Sequence, residues 1–564
     1  MRSPLAMLRN TRFGRAGVLL ASLAIAVGIA PVGAASKGQP VVARAIPLGA
    51  SAPLAGNAPV TSMGRALAEA AERGDMQAVR ELLAQRASAM RAGKANRHGG
   101  ADDAFDVNVP SADGTPALHW VVRLQDRETA RLLLKAGADA DRPNRYGVRP
   151  LHIAIDNADV PMIRLLLAAH ADPRSADATG ETCLIMAART GNLEAVKALL
   201  EKHAPVDAVD PEYHQTPLMV AARGGHAAVA RLLIKRGANV NAQTRTGPTP
   251  KFRLPSSNSG SKGAGIIRGG WPERGERDPT PGAKTPLLYA AREGHIEVAQ
   301  LLLDAGADIE KADADGVTPL LMAILNGRIA LAQMLIERGA NVKVADWYGQ
   351  TPLWSAVDIR NLDVPGPTRD NGVDREAAFA LIKTLLAHGA DPNARTKEYP
   401  PQRRWITRLG SLSWVDFTGQ TPFLRAALAG DVKTMRLLLE YHADPNIATF
   451  NGTTPLMAAA GVNWTVAQTY DEGPQALLEA VKLAQSLGND VNATNDMGLA
   501  AIHGAANRGS DDIIRFLVEK GAKLDVADKQ GRTPLVWARG VFLATHPPEA
   551  KPTTIALLEQ LRGG

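Results

Sequence analysis

Between Asp315 and Ala345 the apolar positions form two short helical faces. Leu320, Leu321, Ala323 and Ile324 make one, and Ile329, Ala332, Leu335 and Ile336 make the other. Asp315-Gly316 ahead of them is a tight-turn signal. Thr318 can cap the first helix with its hydroxyl, and Pro319 suits the first helical position, where its missing N–H costs nothing. Gly327 and Gly339 end the two helices, because glycine takes a left-handed conformation most easily. The segment therefore predicts a helix–turn–helix unit, with 340–345 leading through a turn into whatever follows.

The same unit recurs. Its apolar anchor falls at Leu118, Leu151, Leu184, Leu218, Leu287, Leu320, Leu353, Phe423, Leu456, Ile502 and Leu535. The steps are 33 or 34 residues except for three, of 69, 70 and 46, which read as one period plus an insertion. A single helix pair is too small to bury its own apolar face, so neighbouring units must stack on it. At 564 residues the chain would otherwise suggest several globular domains, but a stack grows by repetition without a larger central core.

Thr285-Pro286-Leu287-Leu288-Tyr289-Ala290-Ala291, the Gly294-His295 pair, Leu301-Leu302-Leu303 and Gly306-Ala307-Asp308 together carry a recognisable pattern. In these residues the chain resembles the ankyrin repeat family. The resemblance implies an all-α solenoid of stacked helix–turn–helix units with projecting β-hairpin fingers. It also implies that fingers and first helices line a concave face that binds other proteins. About twelve units cover residues 63–564, the first at Leu67–Asp75 and the last at Leu535, its second helix at 555–561. Three units depart from the pattern: Pro116-Ala117 and Ala500-Ala501 replace Thr-Pro, and Arg149 replaces Thr. Each departure should weaken a helix cap by about 1 kcal/mol.

The N-terminus stands apart. Arg2, Arg9, Arg12 and Arg15 precede an apolar run from Gly17 to Ile29, followed by Pro31-Val32-Gly33-Ala34-Ala35. This is the layout of a secretory signal peptide over 1–35, with cleavage near Ala34 or Ala35. The run is too short for the roughly 20 residues that span a bilayer. The expected location is the periplasm or outside the cell, as in an exported bacterial-type protein, with no stable membrane insertion after cleavage. Residues 36–62, rich in Ala, Pro and Gly, read as a flexible linker. The only cysteine, Cys183, allows no internal disulfide and replaces the motif proline, so it reads as a buried structural thiol.

The formal net charge of +7 is unevenly placed. Four arginines lie in the leader. Residues 245–284 hold eight basic and three acidic side chains, and 395–416 hold five and two. The body of the stack is therefore mildly acidic, which argues for local contacts and against a nucleic-acid stripe.

Interruptions at 91–105, 246–283 and 396–416 fall between units, where fingers project. Those at 361–374, 463–475 and 541–551 fall between the two helices of a unit. The 396–416 insertion carries Tyr399, Arg403, Arg404, Trp405, Arg408 and Trp414, a composition common at interface hot spots. Trp271 lies in a proline- and charge-rich stretch of 246–283. These rings either dock a partner or seal the insertions against the stack. Trp347-Tyr348 occupies a finger turn, where it either contacts a partner or packs on the neighbouring finger.

The repeat register absorbs most candidate chemistry. By the resemblance, His119, His152 and His503 hold internal hydrogen bonds. His226 and His295 follow the inter-helix glycine. His170, His203 and His442 replace the glycine ending the second helix, a left-handed site that histidine tolerates. His388 sits one place before that glycine and favours the negative helix end. Asp308, Asp391 and Asp444 recur at one phase as turn residues. No metal-ligand spacing, phosphate loop or nucleophile motif is present in the sequence. The expected function is a non-catalytic protein-binding scaffold, monomeric by itself, with no cofactor or metal. Rival readings are a cell-envelope or carbohydrate binder using the insertion tryptophans, and an accessory subunit of an exported enzyme.

Overall fold

The computed structural model describes residues 63–91, 106–247, 282–362, 372–397, 416, 418–464, 469, 472–541 and 548–563. All belong to one unit, Thr61–Gly564. The leader, the 36–62 linker and much of the insertions lie outside the described residues.

The described residues form 24 helices, numbered here along the chain. The first helix of each pair is α1 (Met63–Glu72), α3 (Ala117–Arg123), α5 (Pro150–Asp156), α7 (Cys183–Thr190), α9 (Pro217–Gly224), α11 (Pro286–Glu293), α13 (Pro319–Leu325), α15 (Pro352–Arg360), α17 (Pro422–Ala429), α19 (Pro455–Ala460), α21 (Ala501–Arg508) and α23 (Pro534–Ala538). The second is α2 (Met76–Arg91), α4 (Arg127–Lys135), α6 (Val160–Ala168), α8 (Leu193–Glu201), α10 (Ala227–Lys235), α12 (Ile296–Asp304), α14 (Ile329–Glu337), α16 (Arg375–Ala387), α18 (Val432–Glu440), α20 (Pro474–Ser486), α22 (Asp511–Glu519) and α24 (Pro552–Gly563). Each first helix packs on the next first helix in series, from α1 to α23. The second helices form a parallel row whose packing is thinnest between α16 and α18. One continuous apolar core runs between the rows, from Leu67 to Leu558.

Local chemistry sets the helix starts. Thr182, Thr216, Thr285, Thr318, Thr351, Thr421 and Thr454 each accept a backbone N–H in the first turn. Pro116, Arg149 and Ala500 make no side-chain cap. The motif histidine compensates in two of those units: His152 Nδ1 accepts from Arg149 N (3.3 Å) and His503 Nδ1 from Ala500 N (3.0 Å). In the third, Pro116 has no N–H to give, and His119 Nδ1 is buried without a hydrogen-bond partner. Gly327 and Gly339 end α13 and α14 with φ of 66° and 88°.

The fingers are turns, not the expected β-hairpins, and no strand occurs among the described residues. Asx turns at Asn144, Asp177, Asp313, Asp346, Asn495 and Asp528 close their fingers within five residues, too short for a ladder, and threonine hydroxyls close those at Thr244, Thr396 and Thr449. Asp313 Oδ1, for instance, accepts from Asp315 N and Val317 N, both at 3.0 Å. Successive fingers are joined through the backbone, as where Trp347 N donates to Asp315 O (2.9 Å) and Phe450 N to Thr418 O (3.1 Å). Just after the second helices, asparagines link neighbouring units with both ends of the amide. Asn393 accepts from Asp444 N (2.7 Å) and donates to His442 O (3.1 Å).

The stack closes across two of its insertions. Thr244 N donates to Lys284 O (3.0 Å) and Ala283 N to Thr244 O (3.1 Å), so the chain rejoins on either side of 248–281. Thr396 and Gln420 make the equivalent pairing, Thr396 N to Gln420 O at 3.0 Å.

Candidate interaction surface

Two positions follow the paired apolar residues near the end of each first helix, and their burial changes systematically along the stack. Arg123-Leu124 and Arg189-Thr190 are exposed, as are Arg223-Gly224; Asp156 is exposed beside a half-buried Asn157. Arg292-Glu293 and Leu325-Asn326 are half-buried. Asp358-Ile359, Leu428-Ala429 and Gly461-Val462 are buried, and Asn507-Arg508 are half-buried again. The face is open from α3 to α9 and closed at α15, α17 and α19.

The closed stretch contains charge. Arg425 Nε donates to Asp358 Oδ1 (2.6 Å) and Arg425 Nη2 to the Asn361 carbonyl (2.8 Å). Arg360 Nε and Asn361 Nδ2 both donate to Asp431 Oδ2, at 2.8 and 3.2 Å. None of these four charged side chains is more than 4% exposed. Burial alone would raise the Asp431 carboxyl, but Arg360 and Thr434 outweigh it and hold the group below its ordinary value. Arg425 Nη1, Asn361 Oδ1 and Ser355 Oγ are buried without a hydrogen-bond partner. Sequence reasoning missed this cluster, although Arg425 stands where other units carry Met186, Val220, Tyr289 or Met322. A charge at an apolar phase was the available signal.

The Trp347-Tyr348 finger divides. Trp347 is 38% exposed, but Tyr348 is only 2% exposed and packs edge-on against it, ring centres 5.0 Å apart. The finger therefore presents one accessible ring and one buried ring. The Tyr348 carbonyl accepts Lys397 N (2.8 Å) from the following finger. Other exposed finger-tip aromatics are Tyr146, Tyr213 and Phe450. Trp271, Tyr399, Arg403, Arg404, Trp405, Arg408 and Trp414 lie outside the described residues.

The histidines take structural positions. His119 and His503 reach carbonyls of the next unit, Val148 O (3.0 Å) and Arg532 O (3.2 Å). Burial lowers the His119 pKa to about 4, so the ring is neutral at neutral pH. His226 and His295 reach back to Arg189 O (3.2 Å) and Arg223 O (3.1 Å). His170, His203 and His442 adopt φ of 69°, 64° and 65°. His214 does the same at 56°. Cys183 is fully buried beside Ser175, and its thiol is pushed up to about 12 by burial. Among the described residues no three His, Cys, Asp or Glu gather as a metal site, and no helix is long and apolar enough to cross a membrane.

The chain is similar to human neurogenic locus notch homolog protein 1, with 30% identity over 189 residues, or 30% of this chain and 7% of that protein. It is also similar to the mouse B-cell lymphoma 3 protein homolog, with 31% identity over 120 residues, or 21% of this chain and 25% of that protein. The matches thus span a quarter or less of those relatives. Among solved structures, the ankyrin repeat domain of Bcl-3, described as a unique member of the IkappaB protein family, is 24% identical. It covers 43% of this chain and 93% of its own, with a TM-score of 0.34. The family pattern for ankyrin repeats in three copies matches residues 67–177, 151–244, 287–364 and 473–540, and the single ankyrin repeat matches 418–450. These matches cover more than half of the sequence and break where the insertions lie, and the chain belongs to the ankyrin repeat family.

Proposed function

We propose that the chain is an exported scaffold of about twelve ankyrin repeats that binds partner proteins and carries out no chemistry of its own. Ankyrin repeats are in general protein–protein interaction modules, which supports the coarse reading. The observation carrying the finer one is the open stretch from α3 to α9, where Arg123, Leu124, Asp156, Arg189 and Arg223 are accessible and the finger rings of Tyr146 and Tyr213 are also exposed. Accessible arginine and aromatic side chains on a rigid frame are the usual anchors of protein interfaces. At α15, α17 and α19 the corresponding first-helix positions are buried. Export is supported by the basic and apolar leader, and places the scaffold in the periplasm or outside the cell.

Cross-linking in the native compartment, followed by mass spectrometry, tests both parts. The exported chain should begin near Ala34 or Ala35, with its cross-links concentrated on the fingers and first helices of α3–α9. The triple change Arg123→Glu, Arg189→Glu and Arg223→Glu should reduce them by about tenfold or more, the equivalent of ~1.4 kcal/mol. Cross-links confined to the second helices, or unaffected by the triple change, would sink this assignment of the surface.

A further inference from the structure

In a repeat stack each unit contacts only its neighbours, so stability accumulates step by step along the chain. One set of contacts here skips a unit. Arg375, the first residue of α16, forms an ion pair with Glu472, just ahead of α20. The Glu472 N–H donates to the Ala429 carbonyl at the end of α17 (3.2 Å), and α17 packs directly on α20. Arg375 in turn exchanges side-chain hydrogen bonds with Arg360, Arg375 Nη1 donating to Arg360 O at 2.5 Å and Arg360 Nη1 to Arg375 O.

The chain of charges continues inward. Arg360 joins Asp431, Asn361 joins Asp431 and Arg425, and Arg425 joins Asp358. On the outer side Lys433 donates to Glu376 (2.6 Å) and lies over the Phe379 ring at 4.1 Å, bridging α16 and α18 where their packing is thinnest. Both α16 and α20 are 13 residues long, against nine for α18 between them. Their extra N-terminal turns bring Arg375 and Glu472 together across the intervening unit. Because Asp358, Arg360, Arg425 and Asp431 are desolvated, opening either of the first two units strands a partner in a low-dielectric setting, and the Arg375–Glu472 pair together with the packing of α20 on α17 ties the third unit to them.

We propose that α15–α20 form a single locked block, opening cooperatively inside a stack that otherwise opens unit by unit. The block also holds the roots of three insertions, near Leu362, Lys397 and Trp464, on one rigid base. The inference is independent of which partner is bound.

Hydrogen exchange on the full chain, followed by mass spectrometry at increasing urea, tests it. Peptides from α15, α17 and α19 should exchange through one shared opening, with a common urea dependence. Glu472→Gln removes the charge at a half-exposed site and preserves side-chain shape. It should speed exchange in α19 and α20 by tenfold or more and separate them from α15. Arg164→Gln, which breaks an ordinary neighbour pair with Glu194, should change only α6 and α8. The block does not exist if α15, α17 and α19 open separately in the unaltered chain, or if Glu472→Gln leaves their exchange unchanged.

Discussion

Asp346 shows how one finger residue can couple stability to pH. Its carboxylate accepts Gln350 N (2.8 Å) and closes the turn, yet the side chain is almost fully buried, with Asp313 and Asp315 nearby. Burial first, and then those two carboxylates, push its pKa up to about 7. The folded state therefore binds this proton more tightly than the unfolded chain does. Stability is greatest below the ordinary carboxylate range and falls as pH rises from about 4 to 7. Asn144 and Asn495 make the same turn contacts without a charge, so Asp346→Asn keeps the geometry. Unfolding followed from pH 4 to 8 should show the variant more stable at pH 8, by at most about 4 kcal/mol, with the gain vanishing near pH 4. A gain that is equal at both ends would exclude titration of Asp346 as its origin. The recurrence of Asp or Asn at this turn was legible along the chain. The burial of this one was not, because it depends on the adjoining finger.

At the scale of elements, the Thr-Pro starts and glycine ends of the helices follow from the chain almost position by position. Capping and left-handed turns are local chemistry. The closed stretch at α15 and α17 could not be read this way, since Arg425 and Asp358 are 67 residues apart and meet only through stacking. Truncation by Arg425→Ala should leave Asp358 buried and unpaired, and destabilise the region by about 3–5 kcal/mol. The apolar double change Arg425→Met with Asp358→Leu should recover most of that loss. Urea unfolding followed by circular dichroism checks both. Equal losses in the single and double variants would mean the pair is not the source of the effect.

For the whole molecule, the repeat is indifferent to how much chain lies between units. His295 reaches Arg223 across 72 residues just as His226 reaches Arg189 across 37. The Thr244–Lys284 pairing likewise closes the same turn that uninterrupted units close. Replacing 248–281 with a short glycine linker should therefore leave helix content and the thermal midpoint within a few degrees of the intact chain, since long and short surface loops differ little in closure entropy. Loss of cooperative unfolding in that deletion would show that the insertion contributes to the stack.

The sequence by itself determined the helix-pair unit, its period, its caps and turns, and the structural placing of nearly all the histidines, because each depends on interactions within a unit or on a fixed offset to the next. Tertiary structure alone decided which parts of the repeated face are open. It turned Tyr348 inward while leaving Trp347 accessible, buried Asp358 and Arg425 as a pair, and joined Arg375 to Glu472 across a unit. Those outcomes depend on what stacks against each residue, and stacking partners 33 to 97 residues away leave no mark in the local pattern.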